Sequence, residues 1–134
     1  MIVRSTFRGP GGLAAHISRT DTNEHVRVRD DLSQGCELSI ADAIEDFAAL
    51  GDVDCSLVHF ALSPSIVLTD VQISRAIEVV REAYEISATQ PMLVVEHVKP
   101  GETGRPQHFH VVLPRRDFAN GLLIRASFRI TCTR

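Results

Sequence analysis

Hydrophobic and polar positions alternate, then change period, along this chain, and the changes of period mark its elements. "IVRSTF" has strand character and is broken by "RGPGG". "LAAHISRTDTNEH" fits either a short helix or a loop, and "VRVR" alternates apolar and basic residues, with Arg27 and Arg29 expected to face water. In "LSIADAIEDFAALGD" Ile40, Ala43, Ile44 and Phe47 recur at helical spacing, with Ser39 as N-cap and Gly51 as the stop. "CSLVHFAL" reads as a strand that puts Val58, Phe60 and Leu62 on one face and His59, Ala61 and Ser63 on the other. The helix over "LTDVQISRAIEVVREAYEIS" is the clearest in the chain. Thr69 and Gln72 match a capping box, and Ile73, Ala76, Ile77, Val80 and Tyr84 form the apolar stripe. "PMLVVEHV" and "HFHVVLP" are strands joined by the Gly/Pro-rich "KPGETGRPQ", and "GLLIRASFRIT" is a last strand candidate.

Strands at both ends with helices in the middle predict one α+β domain over residues 1–134. Its sheet should be rich in antiparallel pairs. Both helices are expected on one face, leaving the other open to bind something.

Composition adds limits. With 44% hydrophobic residues, a chain of 134 residues can bury a core, and no stretch has the length of a membrane span. "MIVRSTFRGPGG" lacks the apolar centre of a signal peptide, so no membrane insertion and a cytoplasmic location are expected. Cys36, Cys55 and Cys132 show no C-x-x-C pairing and read as free thiols in a reducing compartment. The net charge of −3 is unevenly spread: residues 1–29 carry +3, residues 30–97 carry −11 and residues 98–134 carry +5. If the fold brings the two ends together, one face is basic and the opposite one acidic; ordinary solvated charges are the alternative.

The chemistry concentrates in "EHVKPGETGRPQHFHVVLPRRD", which holds three of six histidines. His108 and His110 point to the same side of a strand, and a hairpin brings His97 beside them. Three imidazoles on an open sheet face suit a divalent metal, Zn, Mn, Ni or Co, and Mg less well. His59 would serve as a partner that orients a ligand. Each lone histidine has the alternative of being an ordinary surface or core residue.

A histidine, a spacer and then His-hydrophobic-His on a strand resembles the HUH motif of conjugative relaxases, as does the ordered set "LVHFALSPS…LTDVQISRAIEVV…QPMLVVEHV…HFHVVLPRRD". The chain resembles the bacterial mobilisation nucleases of the MobA/VirD-like superfamily over about residues 12–118. The resemblance implies an HUH endonuclease-like domain that nicks one DNA strand at a plasmid transfer origin, alongside other conjugation proteins. It assigns His97, His108 and His110 to a metal. It also implies a side-chain nucleophile, usually tyrosine, and here the sequence departs: the sole tyrosine, Tyr84, lies on an apolar helix stripe. After "GPGGLAA", where the nucleophile is expected, stands His16 in "HISR". This is similar to the MobV type, whose His-x-x-Arg motif carries over to His16 as nucleophile and Arg19 as phosphate holder. Asp21 and Glu24 would orient His16 or reach the metal, or be solvated.

Phosphate contacts are expected from Arg4, Arg27, Arg29, Lys99, Arg105, Arg115 and Arg116, with single-stranded DNA across the open face. The scarcity of aromatics limits base stacking. Two readings compete: a catalytically degenerate DNA-binding or accessory module, and an unrelated metal-dependent hydrolase. A cupin-like site would want a glutamate after H-x-H, and "VVLPRRD" has none; a 2H phosphoesterase would want a hydroxyl residue that "HFAL" and "HFHV" lack.

Overall fold

The computed structural model describes residues 1–19, 25–35, 39–99, 107–125 and, for the backbone alone, 132–133. Strands β1 (Ile2–Arg8), β2 (His25–Val28), β3 (Leu57–Ser63), β4 (Leu93–Val98), β5 (Gln107–Pro114) and β6 (Cys132–Thr133) form a single sheet in the order β2-β4-β5-β3-β1-β6. The first five pair antiparallel, and the short β6 lies parallel to the end of β1. Helices α1 (Leu13–Ile17), α2 (Ile40–Gly51) and α3 (Asp70–Ala83) complete an α+β domain. Among the described residues no helix is long and apolar enough to cross a membrane.

The local signals act as expected at both long helices. Ser39 caps α2 through the Asp42 N–H, and Thr69 with Gln72 forms the reciprocal capping box of α3. Gly51 is the last residue of α2 as expected, and Asp52 after it takes the left-handed conformation (φ 49°). Gly51 is there for space, since a Cβ on it would lie 2.3 Å from the Ser56 carbonyl oxygen. Of the last strand expected at 121–131, residues 126–131 lie outside the described residues. Residues 121–125 make one bridge, Arg116 with Leu123, and the described backbone of β6 pairs with β1.

The helices do not share a face. Ile73 and Ile77 of α3 pack with Val58, Phe60, Leu62, Phe109 and Val111, while Leu13 and Ile17 of α1 and Ile44 and Phe47 of α2 pack with Leu57, Leu93, Val95 and Val112. Chain connection explains the correction. The pairing makes β3 and β4 parallel, and β1 and β2 parallel with the opposite sense. Both crossovers move the same way across the sheet, so a right-handed path puts α1 on one side and α3 on the other; α2, in the antiparallel β2–β3 connection, packs on the α1 side. Tyr84 closes the α3 side as core, its hydroxyl donating to Ser5 Oγ at 2.7 Å. Cys55 is disulfide-bonded, which corrects the free-thiol expectation there and removes that argument for a reducing compartment; Cys36 and the Cys132 side chain lie outside the described residues.

Candidate histidine site

Directly opposed residues in antiparallel strands share a face. The register therefore puts three rows side by side on the face that carries α1 and α2: Thr6, His59, Val112 and Leu93; then Arg4, Ala61, His110 and Val95; then Ser63, His108 and His97. Helices α1 and α2 cover the apolar end of this face. Among the described residues the histidine end is left to α1 alone, which leaves the β1 end of the sheet at Gly12 (φ 72°) and finishes over β4, where His97 Nε2 donates to the Ile17 carbonyl.

That placement brings His16 to the histidines. Its ring centroid is 5.6 Å from His110 and 6.5 Å from His59, while His110 is 5.1 Å from His59 and 4.9 Å from His97. His16 is exposed, and His59 and His97 are buried. His59 Nε2 and His110 Nδ1 share a 2.8 Å hydrogen bond. Burial, ahead of the nearby Arg8 and His16 charges, pushes His59 down to about 4. Burial, ahead of four neighbouring histidines, pushes His110 to about 3. Both rings are thus neutral near pH 7, each with one donor and one acceptor nitrogen.

The metal expectation fits in donor chemistry and stops short in assembly. Neutral imidazoles are the form that a transition metal takes, and the Ile17 carbonyl is the kind of partner that fixes a ligand's tautomer. His97, His108 and His110 do share a face, but His108 Nδ1 is held by Ser63 Oγ at 2.9 Å and His110 turns to His59. Among the described residues no group of three histidine, cysteine or carboxylate side chains is arranged to hold a metal ion. His59, expected only to orient a ligand, sits within the cluster itself.

Of the other expected residues, Arg19 is exposed just beyond α1, while Asp21, Glu24 and Arg105 lie outside the described residues. Among the described residues the basic ends do not form one basic face. Arg27 pairs with Glu96 on the α3 side at 2.9 Å. Arg29, expected in water, is 4% exposed and bound to Asp31, Asp70 and Glu96. Those carboxylates, the Asp31 hydrogen bond first, hold its guanidinium above the ordinary arginine range. Arg115 stacks over Phe7, 4.1 Å from the ring centroid and on the α3 side, and Arg116 donates to the Gly121 carbonyl. Lys99 is half-buried after β4. Of the described members of this set, only Arg4 stands on the histidine face within a strand.

The sequence reading missed Arg8. It shares the face of Arg4 and Thr6, and it donates to the Gly9 and Gly11 carbonyls of the turn that leads into α1. The alternation of "RSTFR" was the available signal. The acidic helix α2, expected to face away, packs on the histidine side with Asp42, Glu45 and Asp46 exposed.

No family model, no curated protein and no solved structure matches the chain.

Proposed function

We propose that this chain is a relaxase-like nuclease that nicks single-stranded DNA by transesterification, with His16 as nucleophile. The observation that carries this reading is the convergence of His16 on His59 and His110, with His97 against His110, in residues drawn from four separate elements. An exposed imidazole beside neutral, partly buried ones offers a nucleophile on the solvent side and nitrogen donors behind it.

A neutral His16 nitrogen attacks phosphorus in line. The N–P bond forms as the P–O3′ bond breaks, the 3′ oxygen leaves with a proton from solvent, and the imidazole loses its remaining ring proton. Energy kept in the N–P link lets the 3′ hydroxyl return and rejoin the strand. Arg19 holds the non-bridging oxygens. His97, His110 and either His108 or His59 would hold a divalent metal, which when bound supplies Lewis-acid polarisation of the phosphate. The target, by the resemblance, is a plasmid transfer origin in a bacterial cytoplasm.

One observation favours the second reading, a catalytically degenerate DNA-binding module: His97 Nε2 and His108 Nδ1 are engaged by Ile17 and Ser63. A nicking assay with Mn on single-stranded transfer-origin DNA separates the two. A covalent protein–DNA adduct that is lost in both His16→Ala and His108→Ala supports the nuclease. Cleavage that survives His16→Ala assigns the attack to water. Bound but uncut DNA gives the second reading.

A further inference from the structure

Two arginines on the histidine face, Arg4 and Arg8, stand in line on β1, with Thr6 between them in register with His59. Two residues apart along a strand is about 7 Å, so the arginine Cα atoms span on the order of 13 Å. Both differ from Arg27 and Arg29. Arg27 and Arg29 face the α3 side and are matched by carboxylates. Arg4 and Arg8 make no ion pair with any described carboxylate. Arg8 spends two of its five N–H donors, on Gly9 and Gly11 carbonyls at 3.1 and 2.7 Å, and three remain.

Charge divides about α1. On its α2 flank Glu45 lines the same groove as Pro10, Gly11 and Ala14, with Asp42 and Asp46 exposed nearby on the helix. On its β1 flank are Arg4, Arg8 and the threonine. A polyanion approaching His16 is repelled on the first side and neutralised on the second. The arrangement is a single file of hydrogen-bonding groups, which suits one strand of phosphates and offers nothing that reads bases.

We propose that Arg4, Thr6 and Arg8 form a phosphate track on β1 that leads a single polynucleotide strand to His16, and that Arg8 also positions His16 by holding the turn before α1. This rests on the nuclease reading for its destination, but the track has its own readout in binding. Arg8→Ala removes a phosphate donor and slackens the Gly9–Gly12 turn together. Arg4 has no such structural bond, so Arg4→Ala tests the track without touching the turn.

The experiment is the salt dependence of binding between the full chain and a fluorescein-labelled oligothymidylate, read by anisotropy for wild type, Arg4→Ala, Arg8→Ala, Arg8→Lys and Arg27→Ala. Each lost phosphate contact lowers the slope of log affinity against log salt by about 0.7 for a single strand. The expected result is a several-fold loss and that fall in slope for Arg4→Ala and Arg8→Ala. Arg8→Lys should keep the slope, and Arg27→Ala should match wild type. Wild-type affinity and slope in Arg4→Ala would overturn the track even if Arg8→Ala failed to fold. So would an equal loss in Arg27→Ala, or no binding by the wild type. Binding that behaves as expected without any nicking would leave the track standing and remove the nuclease reading.

Discussion

His59 and His110, fifty-one residues apart on neighbouring strands, meet ring against ring and share a hydrogen bond between Nε2 and Nδ1. Such a bond needs one nitrogen with a proton and one without, so the pair keeps it only while at least one ring stays neutral. Burial provides that condition by lowering the affinity of both rings for protons.

A pH dependence of stability follows, and its sign is fixed. An unfolded histidine titrates near 6.5, whereas His59 does so at about 4 and His110 at about 3 when folded. Between those values the unfolded chain binds more protons, so acid favours unfolding. The contribution is fully present above about pH 6.5, falls through the interval and levels off once the folded rings also protonate. Urea denaturation in a chelating buffer should show a loss on the order of a few kcal/mol between pH 7.5 and pH 4. His59→Gln should reduce the slope, and an unchanged slope would remove this pair as its cause.

His16 gives the opposite expectation for stability. It is exposed and touches its neighbours only through ring contacts, so His16→Ala should shift unfolding free energy by no more than about 0.5 kcal/mol. The same substitution should abolish the covalent DNA adduct. A large fall in melting temperature would mean that His16 holds α1 in place, and the loss of adduct would then say nothing of nucleophilic attack.

The pattern was legible where it was local. The two capping motifs, the alternation of β3 and the shared side of His97, His108 and His110 all depend on neighbours within a few residues or one hairpin. What failed was long-range. Placing α3 opposite α1 and α2 depends on strand order, because the same helices would share a face in a sheet threaded differently. Arg29 continues the alternation of "VRVR" on paper. It lies one residue past β2, where the chain turns toward Asp70 at the start of α3, a partner forty-one residues away. Helix α1 is too short, at five residues, to show a period. His59 shared its face with His110 by alternation alone, but the hydrogen bond between them needed the β3–β5 register.

Arg29 should prove structural. Its guanidinium neutralises Glu96, which is buried and also accepts from Gln107 at 2.6 Å. Removing it leaves a buried carboxylate with only Arg27 and Gln107, a change of the kind that costs roughly 3–5 kcal/mol. Arg29→Met should therefore lower stability strongly. The double variant Arg29→Met with Glu96→Gln should regain part of the loss, because the uncompensated charge goes as well. DNA affinity at a temperature where both variants are folded should stay at the wild-type level. A loss confined to binding, with the melting temperature preserved, would return Arg29 to the polynucleotide interface.

Gly51 tests the packing of α2 against the start of β3. An added methyl would lie 2.3 Å from the Ser56 carbonyl oxygen and 2.7 Å from Ser56 Cβ. That backbone carbonyl also accepts from the Arg115 N–H at 2.8 Å, so it cannot move without breaking a bond that ties the end of β5 to β3. Alanine normally favours a helix interior over glycine by up to about 1 kcal/mol, and here the clash reverses the sign. Gly51→Ala should destabilise by on the order of 1–3 kcal/mol in chemical denaturation, an overpacking cost. The neighbouring Ala49→Gly, exposed on the same helix, should lose only the propensity difference. If Gly51→Ala stabilises the chain instead, α2 is free to shift away from Ser56. Its anchoring over Leu57 and Val112 is then looser than the packing of Phe47 implies.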